Sequence, residues 1–130
     1  MRPSSSSLHP VILMVEDDVD LLGVAALRLE SMGCEVIGVE SAEEALRLIE
    51  TMCDRINVVF TDLRLGGIDG AGLIEQLNEV APDLPIVATS ALIEELDVVR
   101  ARWGNRVRLI PKPYQFEDLR ILLTLSQSGS

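Results

Sequence analysis

Aromatic side chains are scarce in this chain. One Trp, one Tyr and two Phe make up 3% of its 130 residues, whereas hydrophobic residues reach 48%. Its core must therefore be built from Val, Leu, Ile and Ala, which suits buried strands alternating with helices. Cysteine is nearly absent too. Cys34 and Cys53 form no CxxC pair and have no ligand cluster beside them, which argues against a disulfide framework and reads both as small buried apolar residues in a reducing compartment. Positive charge is short: 11 Lys and Arg stand against 21 Asp and Glu, a net charge of −10. Such a surface repels phosphate backbones and anionic membranes, so direct binding to nucleic acid or membrane is disfavoured. Long apolar runs are missing as well. The opening MRPSSSSLHP carries no apolar h-region, and VILMV is far too short for a signal core or a membrane span, which predicts a cytoplasmic location.

What is present is enough for one compact domain. The Ser-rich residues 1–10 and the closing residues 127–130 read as flexible tails around a folded unit at 11–126. Five short apolar runs are strand candidates: VILMV (11–15), CEVIGV (34–39), NVVF (57–60), PIVAT (85–89) and VRLI (107–110). Helical spacing fills the gaps. Leu21, Leu22, Ala25 and Leu29 recur along 18–31, ended by Gly33, and SAEE opens 41–52 with a Ser cap and a Glu three residues on. Residues 70–80, 91–103 and 116–126 supply three more helices. Strand and helix thus alternate five times, which predicts an α/β fold: an open, doubly wound parallel sheet with helices on both faces.

In such a fold the site lies outside the carboxyl ends of the strands. Those ends carry Glu16, Asp17 and Asp18 after the first strand, Asp62 after the third, Ser90 after the fourth and Lys112 after the fifth. Taken singly, each has a bland explanation. Asp18 can cap a helix, Asp62 can serve a turn, Ser90 can cap the next helix and Lys112 can be a solvated lysine. Jointly they are less easily dismissed. Converging carboxylates raise one another's pKa values or bind a metal, and oxygen-only ligands select Mg²⁺. With Lys112 and the Ser90 hydroxyl opposite, the set would hold a phosphoryl group while one carboxylate attacks phosphorus in line.

The motifs VEDD, TDLRLGGIDG, PIVATSA and KPY fall in register with one family. Over about residues 11–126 the chain resembles the receiver domain of two-component response regulators. The resemblance implies a flavodoxin-like (βα)5 sheet of strand order 2-1-3-4-5. It implies Asp62 as phosphoacceptor, with Asp17, Asp62 and the Arg64 backbone carbonyl as Mg²⁺ ligands and Glu16 acting through water. It also implies Ser90 as the hydroxyl switch residue and Lys112 as the phosphate-binding lysine, with the usual cis Lys-Pro bond. The implied partners are a sensor histidine kinase or histidine phosphotransfer protein and an output partner that the sequence does not name. His9, in the Ser-rich segment beside a proline, is a poor phosphohistidine candidate. Two positions depart from the family pattern: Gly66 stands where Pro is common, and Leu109 where Tyr or Phe is frequent three residues before the lysine. The second departure bears on the usual output switch.

Two other functions compete. A Mg²⁺-dependent phosphatase with an aspartyl nucleophile would show a second acid two residues after Asp62, where Arg64 stands. A receiver-like module acting without phosphorylation would be expected to lack Asp17, Asp62 or Lys112, and all three are present.

Overall fold

The computed structural model describes residues 9–128. Most of the two expected tails, residues 1–8 and 129–130, lies outside the described residues. Five strands run β1 (Val11–Val15), β2 (Glu35–Val39), β3 (Val58–Asp62), β4 (Ile86–Ser90) and β5 (Val107–Pro111). They form one parallel sheet in the order β2-β1-β3-β4-β5, as expected. The helices between them are α1 (Val19–Ser31), α2 (Ala42–Met52), α3 (Gly70–Val80), α4 (Ile93–Trp103) and α5 (Arg120–Ser128), the last preceded by a 3-10 stretch, Phe116–Leu119.

The three central strands β1, β3 and β4 are buried at every residue, because helices cover the sheet on both sides and leave no solvent face. Alternate side chains divide between two cores. Leu13, Val59 and Ala88 pack with Ala45, Leu73 and Leu96 of α2, α3 and α4. Ile12, Phe60 and Val87 pack with Leu29 and Leu122 of α1 and α5.

Local signals set the helix ends. Asp18 accepts from the Asp20 and Leu21 N–H groups at 3.1 Å each and so caps α1. Ser41 accepts from the Glu44 N–H at 3.2 Å, and the Glu44 carboxylate reaches back to the Glu40 N–H at 3.3 Å, a variant of the expected capping arrangement. Gly33, at φ 93°, takes the left-handed turn after α1.

Some boundaries differ from the apolar pattern. β3 and β4 continue through Thr61, Asp62 and Ser90, because backbone pairing runs on where apolar character stops. α4 starts at Ile93 rather than 91, since the Ser90 hydroxyl takes the Leu92 N–H at 3.0 Å and holds Leu92 extended. α5 runs to Ser128 rather than 126. The expectation of two buried cysteines needs correction: Cys34 is buried but Cys53 is exposed. Cys53 opens the 3-10 turn in which the chain leaves α2 on the solvent side, with its thiol against the Asp54 carboxylate at 3.8 Å. Among the described residues no helix is long and apolar enough to cross a membrane.

Candidate functional site

Strand register builds the site. Met14, Phe60 and Ile110 face the α1–α5 core, and Glu16, Asp62 and Lys112 stand two residues further along, in the same phase. The ladder reaches that far: the Glu16 N–H donates to Val39 O at 3.0 Å, and the Lys112 N–H to Ser90 O at 2.9 Å. β1, β3 and β5, the last two separated by β4, thereby deliver two acids and one ammonium to a single spot. Ser90 follows Ile86 and Ala88, in the phase of the opposite core.

Lys112 Nζ donates to Asp62 Oδ2 at 2.6 Å and to Glu16 Oε1 at 3.1 Å. Both carboxylates are buried, Glu16 at 2% and Asp62 at 6% exposure, where an unpaired charge is costly. The other carboxylate oxygens are also engaged. Glu16 Oε2 accepts from the Asp18 N–H at 3.1 Å, and Asp62 Oδ1 from the Arg64 N–H at 2.9 Å. Burial pushes the Glu16 carboxyl above its ordinary value and the nearby Asp62 adds to this, while the Asp18 amide and Lys112 oppose it. Burial alone would lower the Lys112 ammonium, but its bonds to Asp62 and Glu16 outweigh that and raise it. The Lys112–Pro113 bond is cis, as the resemblance implies.

Carboxylate oxygens of Glu16, Asp17 and Asp62 lie within 4.8 Å of one another, with Asp17 exposed at the mouth. Three hard oxygen donors around a small opening, one of them wet, fit a Mg²⁺ ion that keeps part of its water. Asp18 stands apart from this group as the cap of α1. The site is thus a doubly wound α/β edge in which a half-buried lysine and three carboxylates converge, the equipment of a phosphoryl-accepting domain.

Comparison with known proteins gives the family. Residues 12–124 match the response regulator receiver domain, and the chain belongs to that family. It is 32% identical over 108 residues to the transcriptional regulatory protein GlrR of Escherichia coli (strain K12), covering 83% of this chain and 24% of that protein. It is 28% identical over 110 residues to the sensor kinase CckA of Brucella abortus (strain 2308), covering 83% of this chain and 11% of that protein. The chain thus spans about a quarter of the one relative's length and a tenth of the other's. A response regulator receiver domain from Clostridium thermocellum shares the fold, with a TM-score of 0.84 at 23% identity, over 92% of this chain and 94% of that one. The chain is accordingly a signalling receiver domain of the two-component type.

Two residues at the site, Glu95 and Gly70, had no signal in the sequence. The Ser90 hydroxyl donates to Glu95 Oε1, and Glu95 Oε2 accepts from Arg64 Nε at 3.1 Å. Glu95 is one of several acids on α4, and spacing alone does not single it out. Tyr114 packs its ring on Phe60, centroids 5.5 Å apart, with its buried hydroxyl unpartnered among the described residues. Gly70 sits so close under the Asp62–Leu63 backbone that a Cβ there would lie 2.4 Å from Asp62 O. Leu109 is half-buried against the α2–α4 core.

Proposed function

We propose that Asp62 accepts a phosphoryl group from a partner's phosphohistidine or from a small phosphate donor, and that the modified domain binds its partners differently. The carrying observation is the single ammonium of Lys112 bonded to both buried acids beside an exposed third carboxylate. An Asp62 oxygen forms the new bond to phosphorus as the bond to the donor's nitrogen or oxygen breaks. Lys112 neutralises charge on the transferred group, and its short bond to Asp62 aligns the carboxylate for attack.

Asp17, Asp62, Glu16 and the Arg64 carbonyl are the residues that would hold Mg²⁺, which supplies charge neutralisation for the phosphoryl oxygens. The same residues would allow water to remove the phosphoryl group later, making the state transient. The donor is a sensor histidine kinase or histidine phosphotransfer protein acting in the cytoplasm. The net charge of −10 argues against direct contact of this domain with nucleic acid. Arg64 in place of a second acid, turned toward Glu95, weighs against the phosphatase alternative.

Incubation with acetyl phosphate and Mg²⁺ should add one phosphoryl group that hydroxylamine removes, read by intact mass. Asp62→Asn should abolish it, and undiminished labelling of that variant would reject Asp62 as the acceptor.

A further inference from the structure

The Ser90 hydroxyl has one proton to donate, and Glu95 takes it. Its oxygen meanwhile accepts from the Leu92 N–H at 3.0 Å. In this arrangement Ser90 has nothing left to offer an oxygen on a phosphorylated Asp62. Glu95 is itself held from the far side, because Arg64 Nε donates to its second oxygen at 3.1 Å. The Arg64 N–H in turn donates to Asp62 Oδ1 at 2.9 Å. A chain of contacts therefore runs Asp62–Arg64–Glu95–Ser90 around the mouth of the site and ties the end of β3 to the first turn of α4.

An acid in the first turn of a helix is favoured by the helix dipole, and that alone would account for a glutamate here. It would not account for the aim of Glu95. Glu94 shares the turn and is exposed, whereas both Glu95 oxygens are spent on Ser90 and Arg64. We propose that Glu95 is a positioning residue of the switch: it competes with the phosphoryl group for the Ser90 proton, and Arg64 keeps it in place to do so. The proposal rests on Asp62 being the phosphoacceptor.

Two states then differ in one bond. In the resting state Ser90 donates to Glu95; in the phosphorylated state it donates to the phosphoryl group, and Glu95 is left to Arg64 and water. Only an interaction that differs between states biases their populations, and this bond does. Removing Glu95 takes away what the ligand must break, so the phosphate-bound state becomes easier to reach. Hydrogen bonds to charged acceptors are among the stronger ones, but the Glu95 side chain is 30% exposed and water replaces part of the loss.

The test is calorimetric titration of the whole chain with beryllofluoride in the presence of Mg²⁺, comparing wild type, Glu95→Ala, Glu95→Gln, Glu94→Ala, Ser90→Ala and the Ser90→Ala/Glu95→Ala double variant. Glu95→Ala should bind about tenfold more tightly than wild type, and Glu95→Gln, which keeps a weaker neutral acceptor, should fall between them. Glu94→Ala, which removes the same charge from the same turn, should shift affinity by less than about twofold, as screened surface charges do. In the Ser90→Ala background the gain from Glu95→Ala should vanish, because its route runs through the hydroxyl. An unchanged or weaker Glu95→Ala would overturn the proposal, and so would an equal gain in the Ser90→Ala background, which would reduce Glu95 to a bulk charge. Failure of the wild type to take beryllofluoride at all would instead remove the phosphoacceptor reading, and this proposal with it.

Discussion

Gly70→Ala adds one carbon at the first residue of α3, where the helix meets the end of the strand carrying Asp62. That carbon would stand 2.4 Å from Asp62 O and 2.5 Å from the Leu63 Cα. Ordinary contact begins near 3.4 Å, so the helix start and the strand end must separate by about 1 Å, and both sides of the clash are backbone. The bond from the Gly70 N–H to Leu63 O, now 3.1 Å, would lengthen with them. Overpacking of this kind costs about 1–3 kcal/mol, which lowers Tm by roughly 4–12 °C for a domain of this size. Chemistry should suffer more than stability, since a misplacement of about 1 Å in a reacting group can cost on the order of a hundredfold in rate. Gly23→Ala is the control: it lies in the exposed interior of α1 with nothing within 4 Å of the added carbon, and should stabilise by about 0.5–1 kcal/mol. Thermal unfolding by circular dichroism and the rate of labelling by acetyl phosphate read the two effects. A Gly70→Ala protein with the Tm and labelling rate of wild type would refute the reasoning, because it would show that the strand end yields freely.

Asp17→Asn should weaken Mg²⁺ binding by roughly tenfold or more, whereas Asp18→Asn should leave it nearly unchanged because Asn caps a helix as well as Asp; equal losses in calorimetry would mean that the two acids have been assigned in the wrong order. Tyr114 is the only tyrosine, so the phenolate absorbance titrates one site. Burial, helped by the Glu16 carboxylate, pushes its phenol up to about 12. A folded value above the unfolded 10 means a contribution to stability that is full below pH 10 and lost as pH rises through 12; phenolate appearing in the folded protein at pH 10 would contradict the buried placement. Leu109 should keep its rotamer and its half-buried packing when beryllofluoride is bound, as methyl NMR would record, because a short apolar side chain gains little by moving. A large shift of its methyl signals on binding, not seen in Ser90→Ala, would refute this.

The fold was legible because parallel sheets leave strong traces: five apolar runs, helical spacing between them and caps at Asp18 and Ser41. The strand ends were read short where the chain turns polar. Thr61, Asp62 and Ser90 are buried yet hydrophilic, and local rules fail most readily where function replaces apolar packing. Glu16, Asp17, Asp62 and Lys112 could be found because each ends its strand or lies within two residues of its end. Glu95 could not, since its role depends on how the first turn of α4 folds back over Ser90. Gly70 was hidden for a related reason: its need is for closeness to another segment, which leaves no mark on the local pattern. Cys53 was misjudged because residue type alone predicts burial, and a chain leaving a helix can carry a small apolar residue into water.

The sheet also acts as a partition. Its central strands send alternate side chains into two separate cores, one under α2, α3 and α4 and one under α1 and α5, with the sheet between them. Substitutions on opposite sides share no side-chain partner, and effects of that kind add rather than couple. The α1–α5 layer can therefore be repacked while the α4 side keeps its own packing, and the reverse holds equally. Only the residues at the carboxyl edge answer to both layers, so they have the least freedom to vary.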